Sequence, residues 1–361
     1  MTTVLEVDRS ALDRVRVQED PPLEPVDGHA LVQVDAFALS ANNITYAVFG
    51  DAMKYWDFFP AADPWGRIPV WGFGSVVASS SPDLAVGERL YGYYPMASHL
   101  LVTPGRADKR GVADTAPHRA ALASAYNRYV RCATDPVYRQ DREDHQMLLY
   151  PLYFTSFLVD DFLADNEDFG AEQIVISSAS SKTALGVAFQ AHQRGARVVG
   201  LTSPGNVAFV EGLGVADEVR IYDDVASLAA VPSVFVDVAG NADVRHGVHA
   251  RLGDLLGHSM AVGGTHWDHE AAEVEGERPG PAPVFFFAPA QISKRAKEWG
   301  RAELDARVGA AWSRYADWAD GWVDFQHAAG AEAVTAAYRE QLAGHADPRH
   351  GQICSLGGSE S

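Results

Sequence analysis

One stretch of the sequence, residues 174–206, restricts the possible folds more than any other. It opens with an apolar run at 174–176, which is too short for a helix and typical of a strand buried on both faces. Small polar residues follow, and the apolar positions of 184–191 then repeat with helical spacing. The helix should stop near Gly195, before a second apolar run at 197–201. Strand, turn, helix and parallel strand in this order predict the first unit of a doubly wound sheet, the Rossmann fold.

The turn between this strand and helix lacks the glycines of a dinucleotide-binding fold. The usual G-x-G-x-x-G/A pattern lets the backbone approach a pyrophosphate at the start of the helix. Hydroxyl and ammonium groups stand there instead, and they can bind phosphate through charge-assisted hydrogen bonds. The predicted phosphate-binding residues are Ser180, Ser181, Lys182 and Thr183. An ordinary polar turn from strand to helix is the alternative interpretation.

The composition indicates a globular protein with two domains. The chain has 361 residues, of which 47% are hydrophobic, so it can bury a large core. Its net charge of −19 argues against a nucleic-acid partner, because neutralising phosphates requires clustered positive charge. No apolar run resembles a signal sequence or a membrane span, so no membrane partner is predicted and a cytoplasmic location is expected.

Cysteine and histidine usage bears on metal binding. Cys132 and Cys354 are the only cysteines, so neither a disulfide framework nor a Cys-based zinc site is available. His266 and His269 flank Asp268 and form the alternative metal cluster, but this spacing by itself is a weak signal. We therefore predict no metal.

The pattern of apolar and polar residues also predicts the secondary structure of the first half of the chain. Residues 1 to about 105 are expected to be all-β, because short partly alternating runs are separated by glycine-rich turns. Residues 117–146 are expected to form a charged, aromatic helical segment, followed by an apolar helix at 147–163.

Further strands and helices are predicted downstream. Residues 234–241 indicate a fourth buried strand running into a loop, 260–265 a fifth strand, and 283–289 an edge strand. After Gln291 the pattern is helical and amphipathic, with tryptophans expected to cover the sheet. Lining of an apolar cleft is the alternative for those tryptophans.

Several segments carry a resemblance to a known superfamily. VDAFALSANNITYAVFG, PVWGFGSVVAS and VGERLYGYYPMASHLLVTP resemble, in this order, the chaperonin-10-like catalytic domain of medium-chain dehydrogenases/reductases. The central stretch, with GLGVADEVRIYDD, VFVDVAGN and MAVGGTHW, is similar to their cofactor domain, and GQICSL to their returning strand. The resemblance implies an α/β protein. Its parts would be a β-rich chaperonin-10-like domain with a helical insertion at 1–146, a doubly wound parallel-sheet (Rossmann) domain at 147–290 and a helical segment at 291–361.

Within that superfamily the chain is most similar to zinc-independent quinone and enoyl reductases, including polyketide-type ones. It also resembles a group without assigned activity (DUF2855-like) that carries such a glycine-poor loop. The resemblance implies NADPH-dependent reduction of an activated C=C or C=O bond in an apolar small molecule, by a homodimer joined near 283–289. The missing glycines favour the alternative, a non-catalytic nucleotide-sensing or partner-binding member that keeps the fold.

The end of the second strand favours NADP(H) over NAD(H). An NAD enzyme carries Asp or Glu there, where the acid binds the ribose hydroxyls. This sequence has Thr202, Ser203 and Asn206, whose hydroxyls and amide can bind a 2′-phosphate without repelling it. The alternative is a plain strand-to-helix connection with capping side chains.

The resemblance adds further residues to the cofactor site. Tyr222 matches a tyrosine near the adenosine phosphate in similar quinone reductases. Ala239 lies in the loop expected over the cofactor, and Gly263 and Gly264 would let the nicotinamide lie close to the backbone.

Hydride transfer also needs a group that stabilises negative charge on the substrate oxygen. Without zinc ligands, protein hydroxyls and amides become the candidates. The resemblance places Tyr46 and Asn43 beside the substrate, and Tyr55 corresponds loosely to a substrate tyrosine. Thr155 lies in the helix leading into the cofactor domain, where a threonine often faces the nicotinamide in similar reductases. A purely structural role is the alternative for each of the four.

Overall fold

The computed structural model describes residues 1–262, 279–344 and 346–357. The chain divides into two compact units. One comprises Met1–Pro151 together with the chain from Val323 onward, and the other is Leu152–Trp322. Residues 291–322, assigned above to a C-terminal segment, therefore group with the second unit.

The first unit is mainly β-structure, as expected. Its elements before the crossing into the second unit are β1 (Thr2–Asp8), β2 (Ala11–Asp20), β3 (Ala30–Leu39), α1 (Ala41–Val48), β4 (Trp65–Gly66), β5 (Pro69–Ser79), β6 (Arg89–Pro95), β7 (His99–Val102), β8 (Pro104–Asp108), β9 (Gly111–Asp114), β10 (Arg128–Arg131) and α2 (Glu143–Leu148). Strands β3, β5 and β6 pair antiparallel at the centre of a large sheet, and β1 lies between β2 and β4 in a smaller one.

Helix α1 corrects the expectation that the first 105 residues contain only strands. Its buried residues Asn43, Tyr46 and Ala47 follow helical spacing and face the core. Ser40 precedes the helix, and its backbone N–H donates to the Asn43 side-chain oxygen at 2.8 Å. This cap uses asparagine where the usual sequence signature has Glu or Gln, so the sequence pattern alone does not reveal it.

The region 117–146 is also different from the expectation. It contains short 3-10 turns and strand β10, and only its end belongs to a helix, α2. Pro136 interrupts any longer helix, and Tyr129 in β10 is fully buried between neighbouring strands. The predicted apolar helix is broken at Leu149, because Pro151 has no N–H with which to continue the hydrogen bonds of α2 but suits the first turn of a new helix.

The second unit holds the doubly wound sheet. Its elements are α3 (Tyr150–Asp165, starting just before the boundary), β11 (Gln173–Ile176), α4 (Lys182–Gln193), β12 (Val198–Thr202), α5 (Val207–Gly212), β13 (Glu218–Ile221), β14 (Ser233–Asp237), α6 (Ala242–Leu252), β15 (Leu256–Ala261), β16 (Val284–Phe285), α7 (Ala288–Glu298) and α8 (Arg301–Ala319). Within the described residues the six strands are parallel in the order β13-β12-β11-β14-β15-β16. Numbered within the unit, this is 3-2-1-4-5-6, the order of a dinucleotide-binding fold. The predicted α/β fold class is confirmed.

Close packing fixes helix α4 behind the first strand. The Ser156 hydroxyl of α3 donates to the Thr183 carbonyl oxygen at 2.7 Å. A Cβ atom at Gly186 would lie 2.6 Å from that hydroxyl, so glycine allows the two helices to approach. Trp312, Trp318 and Trp322 pack near aromatic rings of α3, α4 and α5 respectively, as core residues do.

The chain returns to the first unit through β17 (Asp324–Ala329), α9 (Ala331–Ala343) and β18 (His350–Ser355). Strand β18 pairs antiparallel with β3, as the resemblance implied for the end of the chain. Strand β17, in a region expected to be helical, pairs parallel with β18.

Within the described ranges, no single helix is long and apolar enough to cross a membrane. One bent pair, Gln140–Leu148 with Tyr150–Asp165, passes a test of length and composition, which buried core helices also pass. Seven residues of α3 are buried within the protein.

Candidate functional site

The carboxyl ends of β11 and β14 meet where the strand order of the second unit reverses, which is where ligands bind in folds of this kind. Ser177, directly after β11, donates a 2.8 Å hydrogen bond from its hydroxyl to Oδ1 of Asp237. The Ser177 hydroxyl oxygen in turn accepts the backbone N–H groups of Val238 at 2.9 Å and Ala239 at 3.0 Å. Ser177 thus ties the loop after β14 to the loop after β11.

Asp237 is a buried carboxyl at the centre of this arrangement. Burial raises its pKa, while the hydrogen bonds from Ser177 and the Gly240 N–H and the charge of Arg245 lower the pKa in part. Arg245 Nη1 lies 3.5 Å from Oδ2 of the carboxylate. The sequence analysis missed this network, since Ser177 and Asp237 are 60 residues apart.

The loop from 177 to 181 makes its turn without glycine. Ser178 has a φ of 53°, in the left-handed region that usually favours glycine, and its carbonyl oxygen accepts the Ser181 N–H at 2.7 Å. Ser181 then caps α4 by accepting the Ala184 N–H at 3.3 Å. The positive end of the α4 dipole therefore opens at the switch point, where it can attract an anion.

Four residues predicted to bind the cofactor lie together at the end of β12. The Asn206 amide donates to the hydroxyls of Ser180 at 3.0 Å and Ser203 at 3.1 Å. The Thr202 hydroxyl lies 3.4 Å from that of Ser180. Thr202 is only 1% exposed, so its hydroxyl contacts Ser180 from the protein interior. Ser180, Ser203 and Asn206 are partly exposed.

The remaining predicted cofactor residues surround the same loop. Lys182 and Thr183 form the first turn of α4 and are half-buried. Burial raises the pKa of Tyr222, and hydrogen bonds with the backbone and side chain of Ser178 lower it in part. Ala239 is exposed on the loop after β14. Gly263 and Gly264 lie outside the described residues, as do His266 and His269.

Two predicted substrate residues of the first unit, Tyr46 and Tyr55, belong to an aromatic cluster. We define this cluster as Tyr46, Tyr55, Phe58, Phe59, Trp71, Tyr93 and Tyr126. The Tyr46 ring lies 4.5 Å from Tyr55 and 5.7 Å from Tyr93, centroid to centroid. Tyr93 stacks on Tyr126 at 4.7 Å. Tyr46 and Tyr55, chosen from the sequence, are therefore brought together.

Two members of the aromatic cluster that the sequence analysis missed are cross-strand partners. Trp71 of β5 lies opposite Tyr93 of β6, with ring centroids 5.2 Å apart. Phe73 and Tyr91 form the next pair on the same face. The signal was present in the sequence as aromatic residues two apart in PVWGFG and LYGYYP.

Burial keeps the tyrosine hydroxyls of the aromatic cluster protonated. It is the main cause of the raised pKa of Tyr46, Tyr55, Tyr93 and Tyr126, and neighbouring tyrosines raise the pKa of the first three further. At neutral pH these side chains are therefore hydrogen-bond donors without charge.

The side chain of Asn43 has a structural role. Its side-chain oxygen accepts from the Ser40 backbone, and its amide donates to the Pro69 carbonyl oxygen at 2.9 Å. Thr155 is half-buried on α3, next to Ser156. Among the described residues, no group of three or more His, Cys, Asp or Glu side chains is arranged to hold a metal ion.

A family profile described as "Protein of unknown function (DUF2855)" matches residues 37–347. The chain belongs to the DUF2855 family. No curated protein sequence matches this DUF2855 chain at a significant level.

Solved structures share the fold of the DUF2855 chain along its whole length. One is the NADPH complex of CurA from Vibrio vulnificus, with a TM-score of 0.63, 12% identity and 99% coverage of both chains. Others are the CurF ER cyclopropanase of the curacin A pathway (0.61, 14%, 99% of both) and the quinone oxidoreductase from Coxiella burnetii (0.58, 13%, 99% of both). The fold is that of medium-chain quinone and enoyl reductases, so the resemblance is confirmed at this level.

Proposed function

We propose that this chain is an NADPH-dependent oxidoreductase that reduces an activated C=C or C=O bond of an apolar small molecule without zinc. The observation that carries the proposal is the polar group of Ser180, Ser203 and Asn206, which lies beside the start of α4 in a 3-2-1-4-5-6 sheet. A similar fold binds NADPH in CurA from Vibrio vulnificus.

The donor set fits a phosphorylated nucleotide. The N-terminus of α4 would bind the pyrophosphate, assisted by the Lys182 ammonium and by the hydroxyls of Ser181 and Thr183. Ser203 and Asn206 would bind the 2′-phosphate, because they offer donors and no carboxylate. Bound NADPH would supply the hydride.

The aromatic cluster would bind the substrate. Its partly exposed rings, those of Tyr55, Trp71 and Tyr126, present flat apolar surface, and its hydroxyls remain protonated at neutral pH. Tyr46 would donate a hydrogen bond to the substrate oxygen and stabilise the negative charge that develops there. Tyr55 lies against Tyr46 and would position it. Thr155 remains a proposed contact of the nicotinamide.

Chemistry without zinc is supported by the cysteines. Burial raises the pKa of both Cys132 and Cys354 to about 12. Neither thiol belongs to a group of three or more His, Cys, Asp or Glu side chains arranged to hold a metal ion among the described residues.

One observation favours the alternative, a non-catalytic nucleotide-sensing or partner-binding protein. Ser177 and Ser178 fill the loop with internal hydrogen bonds where a dinucleotide fold usually has glycine. Such a loop could hold a nucleotide without the close backbone approach that a productive geometry requires.

Two measurements on the purified full chain separate these functions. Thermal shift with NADPH and NADH tests whether a nucleotide binds, because a ligand of the folded state raises the melting temperature. Loss of the reduced-nicotinamide absorbance with a panel of enones and quinones then tests turnover. Binding without turnover on any of them would support the sensor. Absence of binding by either nucleotide would reject the reductase and the nucleotide sensor and leave the partner-binding protein.

We also propose that two copies associate through the edge of the parallel sheet. Strand β16 is the last strand of that sheet among the described residues. Its Val284 is 52% exposed and the following Phe287 59% exposed. They line a groove of about 270 Å³ together with Phe162, His258 and Met260. An exposed strand edge with apolar neighbours is suited to pairing with a second copy.

A further inference from the structure

We propose that the Trp71 indole N–H and the Tyr93 hydroxyl bind, together with Tyr46, the carbonyl oxygen of a neutral, planar conjugated ligand. This inference rests on the proposed function and deepens it, because it names the donors and the chemical class of the substrate. Neither Trp71 nor Tyr93 was singled out from the sequence.

Both groups are buried donors that lack a hydrogen bond of regular geometry among the described residues. They are Trp71 Nε1 and the Tyr93 hydroxyl, and Tyr93 is 0% exposed. Nearly all buried polar atoms in folded proteins are paired, since an unpaired one forfeits its hydrogen bonds to water. An unpaired donor next to a proposed substrate residue therefore indicates an acceptor that comes from a ligand.

The two donors converge on the Tyr46 hydroxyl. Trp71 and Tyr93 are cross-strand partners on one face of the sheet, and the Tyr46 ring meets Tyr93 edge-on at 5.7 Å. The Tyr46 hydroxyl lies within reach of both polar groups, and their weak hydrogen bonds to it lower its pKa in part, but these contacts lack the geometry of a regular hydrogen bond. A single acceptor atom among them would engage all three.

The chemistry of the aromatic cluster selects the ligand. Its side chains carry no charge, and the guanidinium that lies over the Phe59 ring at 4.6 Å, that of Arg119, is 3.3 Å from the Asp114 carboxylate. A neutral carbonyl oxygen therefore suits the aromatic cluster better than a carboxylate or phosphate, which would need an unneutralised cation. Three neutral donors would also stabilise negative charge that develops on this oxygen during reduction. The rings of Tyr55 and Tyr126 lie against those of Tyr46 and Tyr93 and offer flat surfaces to a conjugated system.

A pair of neighbouring tyrosines provides a matched test. Tyr93 and Tyr94 are consecutive in β6, point to opposite faces and are both fully buried, but the Tyr94 hydroxyl donates to the Leu90 carbonyl oxygen at 3.1 Å. Tyr93→Phe removes an unpaired hydroxyl, so the melting temperature of the free protein should rise by about 1–3 °C. Tyr94→Phe should lower it by a similar amount. A fall with Tyr93→Phe equal to that with Tyr94→Phe would overturn the inference.

The second readout is binding of benzylideneacetone, a neutral planar enone, measured by calorimetry without nucleotide. Affinity should fall at least about tenfold in Tyr93→Phe and in Trp71→Phe, and stay unchanged in Tyr94→Phe. Unchanged affinity in both test variants, or no binding to the unmodified chain, would overturn the inference.

NADPH oxidation with the same enone separates this inference from the proposed function. If the two test variants lose binding while the unmodified chain oxidises no NADPH, the donor site stands and the reductase function fails. If the unmodified chain turns over and both variants keep its kcat/KM, the reductase function stands and the donor site fails.

Discussion

The Ser177 hydroxyl donates a hydrogen bond to Asp237 and accepts two backbone N–H groups of the following loop, which joins the carboxyl ends of the two central strands. We expect Ser177→Ala to lower the free energy of unfolding by about 1–3 kcal/mol, because it leaves buried polar groups without partners. Urea unfolding measures the change. Ser180→Ala, at a partly exposed position of the same loop, is the control and should cost less than about half as much. Equal losses would contradict the central role of Ser177.

Cofactor selectivity should depend on Ser203. This residue follows β12 and is partly exposed, whereas Thr202 is buried, so an acid at 203 would meet the nucleotide without disrupting the core. We expect Ser203→Asp to weaken NADPH at least about tenfold, or about 1.4 kcal/mol, by repelling the 2′-phosphate. NADH affinity should be unchanged or higher. Fluorescence titration with both nucleotides checks this, and parallel losses for both would count against a 2′-phosphate site.

Lys182 should contribute to binding of the nucleotide. It lies in the first turn of α4, where a cation opposes the helix dipole unless an anion is bound. We expect Lys182→Ala to weaken NADPH by about 1–3 kcal/mol, the scale of a charge-assisted hydrogen bond. Lys297→Ala, an exposed lysine of α7, controls for the loss of one positive charge. Equal NADPH affinity in the two variants would remove Lys182 from the site.

The edge of the parallel sheet should control association. Phe287 immediately precedes α7, where aspartate is a favourable capping residue, so Phe287→Asp should place a charge on the apolar edge without harming the fold. We expect the dimer to dissociate at micromolar concentration, as measured by light scattering. Val86→Asp, at an exposed apolar position of the first unit, should leave association unchanged. A monomeric unmodified chain would contradict the proposed dimer.

The sequence predicted the parallel sheet because its strands are continuous apolar runs, whose burial on both faces leaves few alternatives. It also predicted that Ser180, Ser203 and Asn206 would share a site, since the ends of adjacent parallel strands meet at one edge. The spacing of residues in the sequence could not show that Thr202 is buried and the other three are not, because neighbouring positions at the end of a strand differ in exposure. Contacts such as Ser177 with Asp237 depend on strand order, which local patterning does not contain.

Helix α1 and the region 117–146 show a second limit of prediction from the sequence. There, local propensity was weak, and tertiary packing decided the structure. Tyr129 is an aromatic residue in a charged segment, but its burial between β6 and β9 makes the segment a strand. The alternating aromatic residues of the sequence indicate that Trp71 and Tyr93 share one face of the sheet. The sequence does not show that their polar atoms lack hydrogen bonds of regular geometry.

A pH dependence of stability should arise from Asp160. Burial raises the pKa of this carboxyl from 3.8 to about 6, even though Arg194 Nε lies 2.8 Å from its Oδ1. The folded chain therefore holds a proton at pH values where the unfolded chain has lost it. Stability from this group is present below about pH 4 and is lost as the pH rises through about 6.

Asp160→Asn mimics the protonated carboxyl and should remove that dependence. The difference in unfolding free energy between the unmodified chain and the variant should fall by about 2–3 kcal/mol between pH 4 and pH 7, as two pKa units imply. Urea unfolding at several pH values measures it, and the difference cancels the contributions of other carboxyls. Asp141→Asn, at an exposed position whose pKa is lowered by Arg139, should give a small difference that rises with pH. If the Asp160 difference also rises with pH, attraction to Arg194 outweighs burial and the carboxyl is ionised in the folded protein.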